Sequence, residues 1–192
     1  DGQGTVSLDL AACSDGELAA LALGGRQPAY SELMRRHRES IFRLLRGHTG
    51  DADAALDLTQ QSFIAAFAAL RSYDGERPFR LWISRIAINK ARDWARRRAV
   101  RRLFTFARPL EEAIDVADPG ISADVRLDDR RELERAMAAI AMLPASLRDV
   151  LVLRTIEGMS QVESAGVLDI SEKAVETRLY RARAKLAEIL RV

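Results

Sequence analysis

The chain has 192 residues, of which 48% are hydrophobic and 30% charged, so it can bury hydrophobic cores and should stay soluble. Its apolar runs are too short to span a bilayer, and its single cysteine excludes an internal disulfide, while two histidines are too few for the usual zinc sites or catalytic triads. The net charge is only +2, but residues 77–110 carry 11 basic side chains and 1 acidic one, a pattern typical of surfaces that bind phosphates.

The first half of the chain is predicted to be helical, because apolar residues recur at spacings of three and four. Ser14 and Glu17 form a capping box that begins the first helix, and the glycine pair at residues 24–25 ends it. Three more helices are predicted at about residues 28–47, 51–70 and 79–98, the last two separated by a turn over residues 73–78.

The periodicity fades between residues 103 and 127, where prolines and acidic residues collect. We expect a flexible linker there, joining a first domain of residues 1–102 to a second domain of residues 128–192. The second domain begins with predicted helices at about residues 128–142 and 144–158. The predicted fold is therefore all-α, with two small helical domains joined by a flexible linker.

The last two predicted helices form a helix-turn-helix. Ser160 and Glu163 cap a short helix, and Ser171 caps a long arginine-rich helix that runs to Leu190. Side chains on the outer face of this long helix are suited to base edges and phosphates, although an amphipathic hairpin with a charged outer face would have the same pattern. These outer residues are Lys173, Glu176, Thr177, Tyr180 and Arg181.

A polar, positive stripe is predicted on the fourth helix, where residues spaced by four, three and four share one face. Its members are Arg85, Asn89, Arg92 and Arg96. Asn89 interrupts an apolar stretch, which favours either an amide that reads a base or a side chain that bonds locally. The preceding loop carries Arg77, Phe79 and Arg80, which are suited to gripping an unstacked base, although Phe79 and Tyr73 could instead fill the core of the domain.

Three stretches, taken in order, resemble the extracytoplasmic function (ECF) sigma factors, the smallest members of the bacterial sigma-70 family. They are DLTQQSF at residues 57–63, FRLWISRIAIN at 79–89 and VETRLYRAR at 175–183. The resemblance covers nearly the whole chain. It implies two helical domains, regions two and four, that bind core RNA polymerase and recognise the −10 and −35 promoter elements. It also implies an anti-sigma factor as a partner.

The resemblance assigns residues to three roles. Docking on the clamp helices of the largest polymerase subunit is assigned to Asp57 and Gln60, with Gln61 beside them. Melting and holding the non-template strand at the −10 element is assigned to Arg77, Phe79, Arg80, Arg85, Asn89, Arg92 and Arg96. Facing the −35 element as duplex DNA is assigned to Lys173, Glu176, Thr177, Tyr180, Arg181 and Arg183.

The sequence departs from the family pattern at three positions. Gln61 replaces the usual glutamate, which removes a charge from the polymerase contact. Glu176 replaces a basic residue and predicts a different −35 sequence, because a carboxylate suits a cytosine amino group and repels phosphate. Ser164 replaces an apolar residue, so we expect Val162 and Val167 to supply the packing there.

Other classes of protein fit the sequence less well. A stand-alone helix-turn-helix regulator would not need Asp57 and Gln60 on an exposed face, and a helical adaptor would leave the basic block unexplained. An enzyme is least supported, because nothing resembles a nucleophile with its base, a phosphate-binding glycine loop or a metal cluster. We therefore expect no catalytic residue, cofactor or metal. The start of the chain does not resemble a signal peptide, and the cysteine content points to the cytoplasm.

Overall fold

The computed structural model describes residues 9–105 and 124–191, and every regular element within them is helical. The predicted all-α fold is therefore confirmed. The fourth helix ends at Thr105 and the fifth begins at Asp124, so both extend into the segment predicted as a linker. The rest of that segment, residues 106–123, lies outside the described residues.

Eight α-helices are described. The first domain contains α1 (Asp15–Leu23), α2 (Gln27–Thr49), α3 (Ala52–Ala68) and α4 (Phe79–Thr105). The second domain contains α5 (Asp124–Ala141), α6 (Ala145–Leu151), α7 (Gln161–Leu168) and α8 (Glu172–Leu190). Helix α6 continues directly into a π-helical turn, Val152–Ile156.

The helix starts follow from local sequence. Both predicted capping boxes are present: the hydroxyl of Ser14 accepts from the backbone N–H of Glu17, whose carboxylate accepts from the backbone N–H of Ser14, and Ser160 and Glu163 repeat the arrangement. Asp169 follows α7 in the left-handed region, with φ of 55°, and makes the tight turn into α8.

The core of the first domain is built on the inner face of α2. The four α2 residues that the periodicity predicts to face inward are all fully buried, as expected: Leu33, Ile41, Leu44 and Leu45. Phe63 of α3 and Ile83 of α4 belong to the same core. The apolar stripe of α2 therefore packs against both α3 and α4, which also contact each other. The outer faces of α3 and α4 both belong to the surface of the first domain.

Packing of α7 differs from the prediction. Val162 is 64% exposed, whereas Ser164 is completely buried and Val167 is buried as expected. Residues two apart on a helix point in nearly opposite directions, so burying Ser164 turns Val162 outward. Val162 therefore does not supply the packing that was expected of it.

One short segment contributes to two hydrophobic cores. Val150 and Leu151 pack in the core of the second domain, together with Val175 of α8. The next two residues, Val152 and Leu153, pack instead in the core of the first domain. The two domains are therefore in direct contact through the end of α6 and the π-helical turn.

Two glycines permit this close approach. A Cβ atom at Gly47 of α2 would lie 2.9 Å from Cδ1 of Ile156 and 3.0 Å from Cγ2 of Val152. A Cβ atom at Gly50 would lie 2.9 Å from the Cβ of Ala141 at the end of α5. Because real Cβ atoms do not approach other atoms so closely, a larger residue at Gly47 or Gly50 would require Ile156, Val152 or Ala141 to shift.

Candidate functional site

An apolar groove between α2 and α3 is the first candidate surface. It encloses about 800 Å³ and is lined by apolar side chains of both helices, including Met34, Phe42 and Phe67. Leu56 and Ile64 line it from α3 and are 55% and 69% exposed. Large apolar side chains exposed side by side mark a surface that binds another protein.

The three polar residues predicted to contact polymerase lie on α3. Asp57 and Gln60 are exposed, and Gln60 lines the groove. Gln61 is half-buried, and its side-chain amide donates a hydrogen bond of 2.7 Å to the Asp57 carboxylate. The amide therefore orients the Asp57 carboxylate, a role that a glutamate at the same position could not fill without repulsion.

The predicted basic stripe is exposed along α4, and its four members lie at the surface: Arg85, Asn89, Arg92 and Arg96. Arg96 pairs with Asp93 on the same helix, and Arg77 in the preceding loop pairs with Asp74 at 3.4 Å. Pairs of this exposed kind are weak, so these two arginines can exchange their partners for phosphates at little cost.

Phe79 does not lie at the surface. Its side chain is fully buried, with its ring centroid 5.2 Å from that of Tyr73 and 5.5 Å from that of Trp82. The prediction that Phe79 contacts the −10 strand is therefore wrong in this structure, and the alternative, a core residue, is correct. Tyr73 is also held in place, because its hydroxyl donates to the carbonyl oxygen of Arg77 at 2.5 Å.

Three arginines of the predicted −10 surface contact acidic residues of the second domain. The pairs, with their nitrogen–oxygen distances, are Arg80 with Glu157 (3.4 Å), Arg85 with Asp169 (3.9 Å) and Arg92 with Asp149 (2.6 Å). Sequence reasoning missed these acidic residues, because each pair joins positions distant in the chain. The only local signal is a carboxylate, Asp149, directly before an apolar run.

Asp149 is the most completely paired of these acids. Its carboxylate accepts hydrogen bonds from Nε2 of His48 at 2.8 Å and from Arg92 at 2.6 Å. Nδ1 of His48 lies 2.8 Å from the carbonyl oxygen of Leu44, so the imidazole ring lies between two acceptors. Burial raises the pKa of the Asp149 carboxyl, but hydrogen bonds and charges from His48 and Arg92 outweigh burial and hold that pKa below its usual value.

Glu157 is buried at the same contact. Its side chain has no exposed surface and accepts a hydrogen bond from the hydroxyl of Ser40. Arg43 approaches the carboxylate at 3.5 Å, and Arg80 also donates to the backbone carbonyl oxygen of Glu157. The carboxylate therefore has basic and hydroxyl partners from α2 and α4, both in the first domain.

The outer face of α8 is open to solvent. All six residues predicted to face the −35 element are exposed: Lys173, Glu176, Thr177, Tyr180, Arg181 and Arg183. Val175 and Ala182 pack inward, as the periodicity predicts. Lys173 donates to the Glu176 carboxylate at 2.8 Å, which partly neutralises the carboxylate on this face.

Across residues 9–105 and 124–191, no helix is both long and apolar enough to cross a bilayer. Within those ranges, His, Cys, Asp and Glu side chains also form no group of three or more that could hold a metal ion.

Comparison with known proteins gives two family matches, one for each domain. The family model described as Sigma-70 region 2 matches residues 33–101, and the one described as Sigma-70, region 4 matches residues 133–186. The chain is 40% identical to the RNA polymerase sigma factor CnrH of Cupriavidus metallidurans, over 92% of this chain and 94% of CnrH. It is 30% identical to the ECF RNA polymerase sigma factor SigM of Mycobacterium tuberculosis, over 92% of this chain and 85% of SigM.

The chain belongs to the ECF sigma factors of the sigma-70 family. The sigma factor binds core RNA polymerase and directs promoter-specific initiation of transcription, and it is not an enzyme. The match to region 2 rules out a stand-alone regulator that uses its helix-turn-helix without polymerase, because such a regulator would not need the first domain of a sigma factor.

Solved structures are similar to this sigma factor along most of its length. The structure of CnrH in complex with the cytosolic domain of CnrY has a TM-score of 0.67 and 37% identity, and the match covers 92% of this chain and 96% of CnrH. The sigma factor RpoE of Bartonella quintana, solved with the anti-sigma factor NepR, has a TM-score of 0.64 and 22% identity, with coverage of 85% and 97%, and so supports the fold.

The Asp149 contact leads to a prediction on stability. We expect Asp149→Asn to lower the free energy of unfolding at pH 7 by about 1.5–3 kcal/mol, because an amide cannot replace both charged hydrogen bonds. The pKa of Asp149 is lowered in the folded state, so its stabilising effect is complete above the unfolded-state value of about 3.9 and is lost as the pH falls through the folded-state pKa.

Urea unfolding of both proteins from pH 7 downward measures this effect. The difference between the wild type and Asp149→Asn should shrink below about pH 4. Asp128→Asn, which changes an exposed carboxylate on α5, serves as the control and should change stability little at any pH. A difference that does not depend on pH would contradict the role of the Asp149 charge.

Proposed function

We propose that the sigma factor uses three separate surfaces: the rim of the α2–α3 groove for polymerase, the basic face of α4 for the −10 element and the outer face of α8 for the −35 element. The observation that carries this proposal is the position of Asp57 and Gln60 beside exposed apolar side chains of α3. Such a surface suits a protein partner, whereas the arginine-rich faces of α4 and α8 suit nucleic acid.

The α2–α3 groove fits a helical partner from the polymerase. An apolar floor provides the area to bury, Gln60 provides a polar contact in its lining, and Asp57 and Gln61 lie nearby on the same helix, as expected of a protein interface. Because Gln61 orients the Asp57 carboxylate through a 2.7 Å hydrogen bond, the acceptor is fixed before the partner arrives.

Loss of Asp57 and Gln60 should therefore weaken polymerase binding. We expect the double variant Asp57→Ala, Gln60→Ala to lose co-elution with bacterial core RNA polymerase at moderate salt, while the wild type co-elutes. The control is Glu134→Ala, which removes an exposed carboxylate from α5 and should co-elute like the wild type. Equal co-elution of the double variant and the wild type would remove these two residues from the polymerase site.

The basic face of α4 suits an unpaired strand. Asn89 is exposed between Arg85 and Arg92, so an amide that can bond a base edge lies between guanidinium groups that can bind phosphates. Extruding a base costs a few kcal/mol, and contacts to the displaced strand offset that cost. We assign Arg77, Arg80, Arg85, Asn89, Arg92 and Arg96 to this strand and leave the buried Phe79 out.

The role of Asn89 leads to a kinetic prediction. We expect Asn89→Ala to weaken open-complex formation more than binding to closed duplex DNA, because the amide bonds a base only after melting. Permanganate footprinting on a promoter selected by the holoenzyme from random sequences measures melting, and Lys90→Ala on the same helix is the control. Unchanged melting with Asn89→Ala would refute the assignment.

The outer face of α8 suits the major groove of duplex DNA. Arg181 and Tyr180 project from the middle of the helix, and Tyr180 is 78% exposed. The pairing of Lys173 with Glu176 places an acceptor and a donor near the start of α8, where a recognition helix approaches base edges. An acidic acceptor there favours cytosine amino groups.

Arg181 leads to a prediction on specificity. We expect Arg181→Ala to reduce binding to the selected −35 sequence by roughly 1–3 kcal/mol if the arginine bonds guanine through two hydrogen bonds. Competition binding against a scrambled −35 sequence measures the specific part of this loss. An equal loss on both sequences would make Arg181 a phosphate contact. Arg191→Ala, beyond the last turn of α8, provides the control for a simple loss of charge.

Control by a partner protein is the remaining part of the proposal. The similar sigma factor CnrH was solved in complex with the cytosolic domain of CnrY, and it is 37% identical to this chain. We propose that an anti-sigma factor likewise holds this sigma factor until a signal releases it. Since its polymerase partner is cytoplasmic, we place its action in the cytoplasm.

A further inference from the structure

A glycine at the start of α1 lies against the loop that precedes α4, the 73–78 loop. A Cβ atom at Gly16 would lie 2.6 Å from the carbonyl oxygen of Gly75 and 3.3 Å from its carbonyl carbon. Real Cβ atoms do not approach backbone atoms so closely, so any residue other than glycine would force one of the two segments to move.

The backbone of α1 gives no reason of its own for a glycine at this position. The φ angle of Gly16 lies outside the left-handed region, unlike those of Gly25 and Gly50. Gly16 belongs to the first turn of a helix, where alanine is the better helix former, so Gly16→Ala would stabilise α1 by local propensity alone. The close approach of the 73–78 loop is therefore what requires glycine here.

Helix α1 is the fixed partner in this contact. Leu18 is fully buried in the core of the first domain, and the capping box at Ser14 fixes the first turn. The Asp15 carboxylate joins α1 to α2, because it lies 2.8 Å from Nε2 of His37 and accepts a hydrogen bond of 3.1 Å from Arg36. A side chain added at residue 16 would therefore displace the loop more readily than it would displace α1.

The 73–78 loop is exposed from residue 74 to residue 78, but hydrogen bonds order it internally. The hydroxyl of Tyr73 donates to the carbonyl oxygen of Arg77 at 2.5 Å, and the backbone N–H of Arg77 donates to the carbonyl oxygen of Asp74 at 3.0 Å. The backbone N–H of Glu76 donates to the Asp74 carboxylate at 3.1 Å. Because these bonds link the residues on both sides of Gly75, a shift at Gly75 also moves Arg77.

Aromatic rings anchor both ends of the loop to the same part of the domain. The ring centroid of Tyr73 lies 5.2 Å from that of Phe79, which is fully buried, and the Phe79 centroid lies 5.1 Å from that of His37. His37 is also the residue that contacts Asp15 of α1. The ends of the loop are therefore held by the core, and its middle is held against Gly16.

We propose that α1 positions the 73–78 loop for the −10 strand, with Gly16 as the positioning residue that lets the loop approach and so sets the place of Arg77. The inference rests on the proposed assignment of Arg77 to that strand. Gly16 acts through the loop and has no contact of its own with DNA. A loop that is in place before the strand arrives loses less conformational entropy on binding, so the close contact with α1 favours promoter melting.

Gly16→Ala tests this inference in the full sigma factor. NMR spectra of the backbone amides report the loop directly, and we expect the Glu76 and Arg77 amide resonances to shift from their wild-type positions. In a permanganate time course on the promoter selected by the holoenzyme, we expect melting about tenfold slower than with the wild type, which is the loss expected of one misplaced charge-assisted hydrogen bond. Co-elution with core RNA polymerase and binding to closed duplex DNA should stay unchanged.

Gly24→Ala is the matched control on the same helix. It adds the same methyl group at the end of α1, where the nearest atom would lie at 3.4 Å, an ordinary contact, so loop resonances and melting should match the wild type. Tyr73→Phe moves the loop by a second route, because it keeps the ring and removes the hydroxyl that bonds to Arg77, and it should also slow melting. In urea unfolding, Gly16→Ala should be as stable as Gly24→Ala.

Three results would overturn the inference: loop resonances that do not shift in Gly16→Ala, shifted resonances with normal melting, or a loss of stability in place of a loop shift. Arg77→Ala then separates this inference from the proposed function. If Arg77→Ala slows melting and Gly16→Ala does not, Arg77 keeps its role and α1 does not position it. If neither variant slows melting, the assignment of Arg77 to the −10 strand fails as well.

Discussion

A buried carboxylate needs partners, and in this sigma factor the partners of Asp149 come from a different domain. The carboxylate lies on α6, and His48 of α2 and Arg92 of α4 supply its hydrogen bonds. Separating the domains would break both hydrogen bonds and return the carboxylate to water. The relative position of the two domains therefore depends on this paired carboxylate together with the apolar packing of Val152 and Leu153 in the first domain.

The helices and their ends were predictable because their signals are local. The capping boxes at Ser14 and Ser160 depend on residues three positions apart, and the inner face of α2 depends on the helical repeat. The outer face of α8 was predictable for the same reason. The family resemblance, carried by three short stretches in order, also predicted the ECF sigma factor fold and function that the comparisons confirm.

Other features depend on packing between distant segments and have no local signal. Phe79 follows a basic loop, but its burial depends on Tyr73 and Trp82, which surround it in the folded domain. Val162 is apolar, yet the orientation of α7 is set by the burial of Ser164 and leaves Val162 outside. The acidic partners of the α4 arginines were missed because a pattern of charges along a chain does not specify which of them meet.

The π-helical turn after α6 makes the contact between the domains sensitive to the number of residues in this segment. The backbone N–H of Glu157 bonds the carbonyl oxygen of Val152 at 3.0 Å, so the turn encloses one residue more than an α-helical turn would. Deleting one residue within the turn would restore ordinary α-helical spacing and leave everything that follows close to its present direction, because the turn accommodates the extra residue. Deleting one residue from α6 would instead rotate everything that follows by about 100° around the helix axis and turn Glu157 away from Arg80, so the contact between the domains is set by residue count as well as by composition.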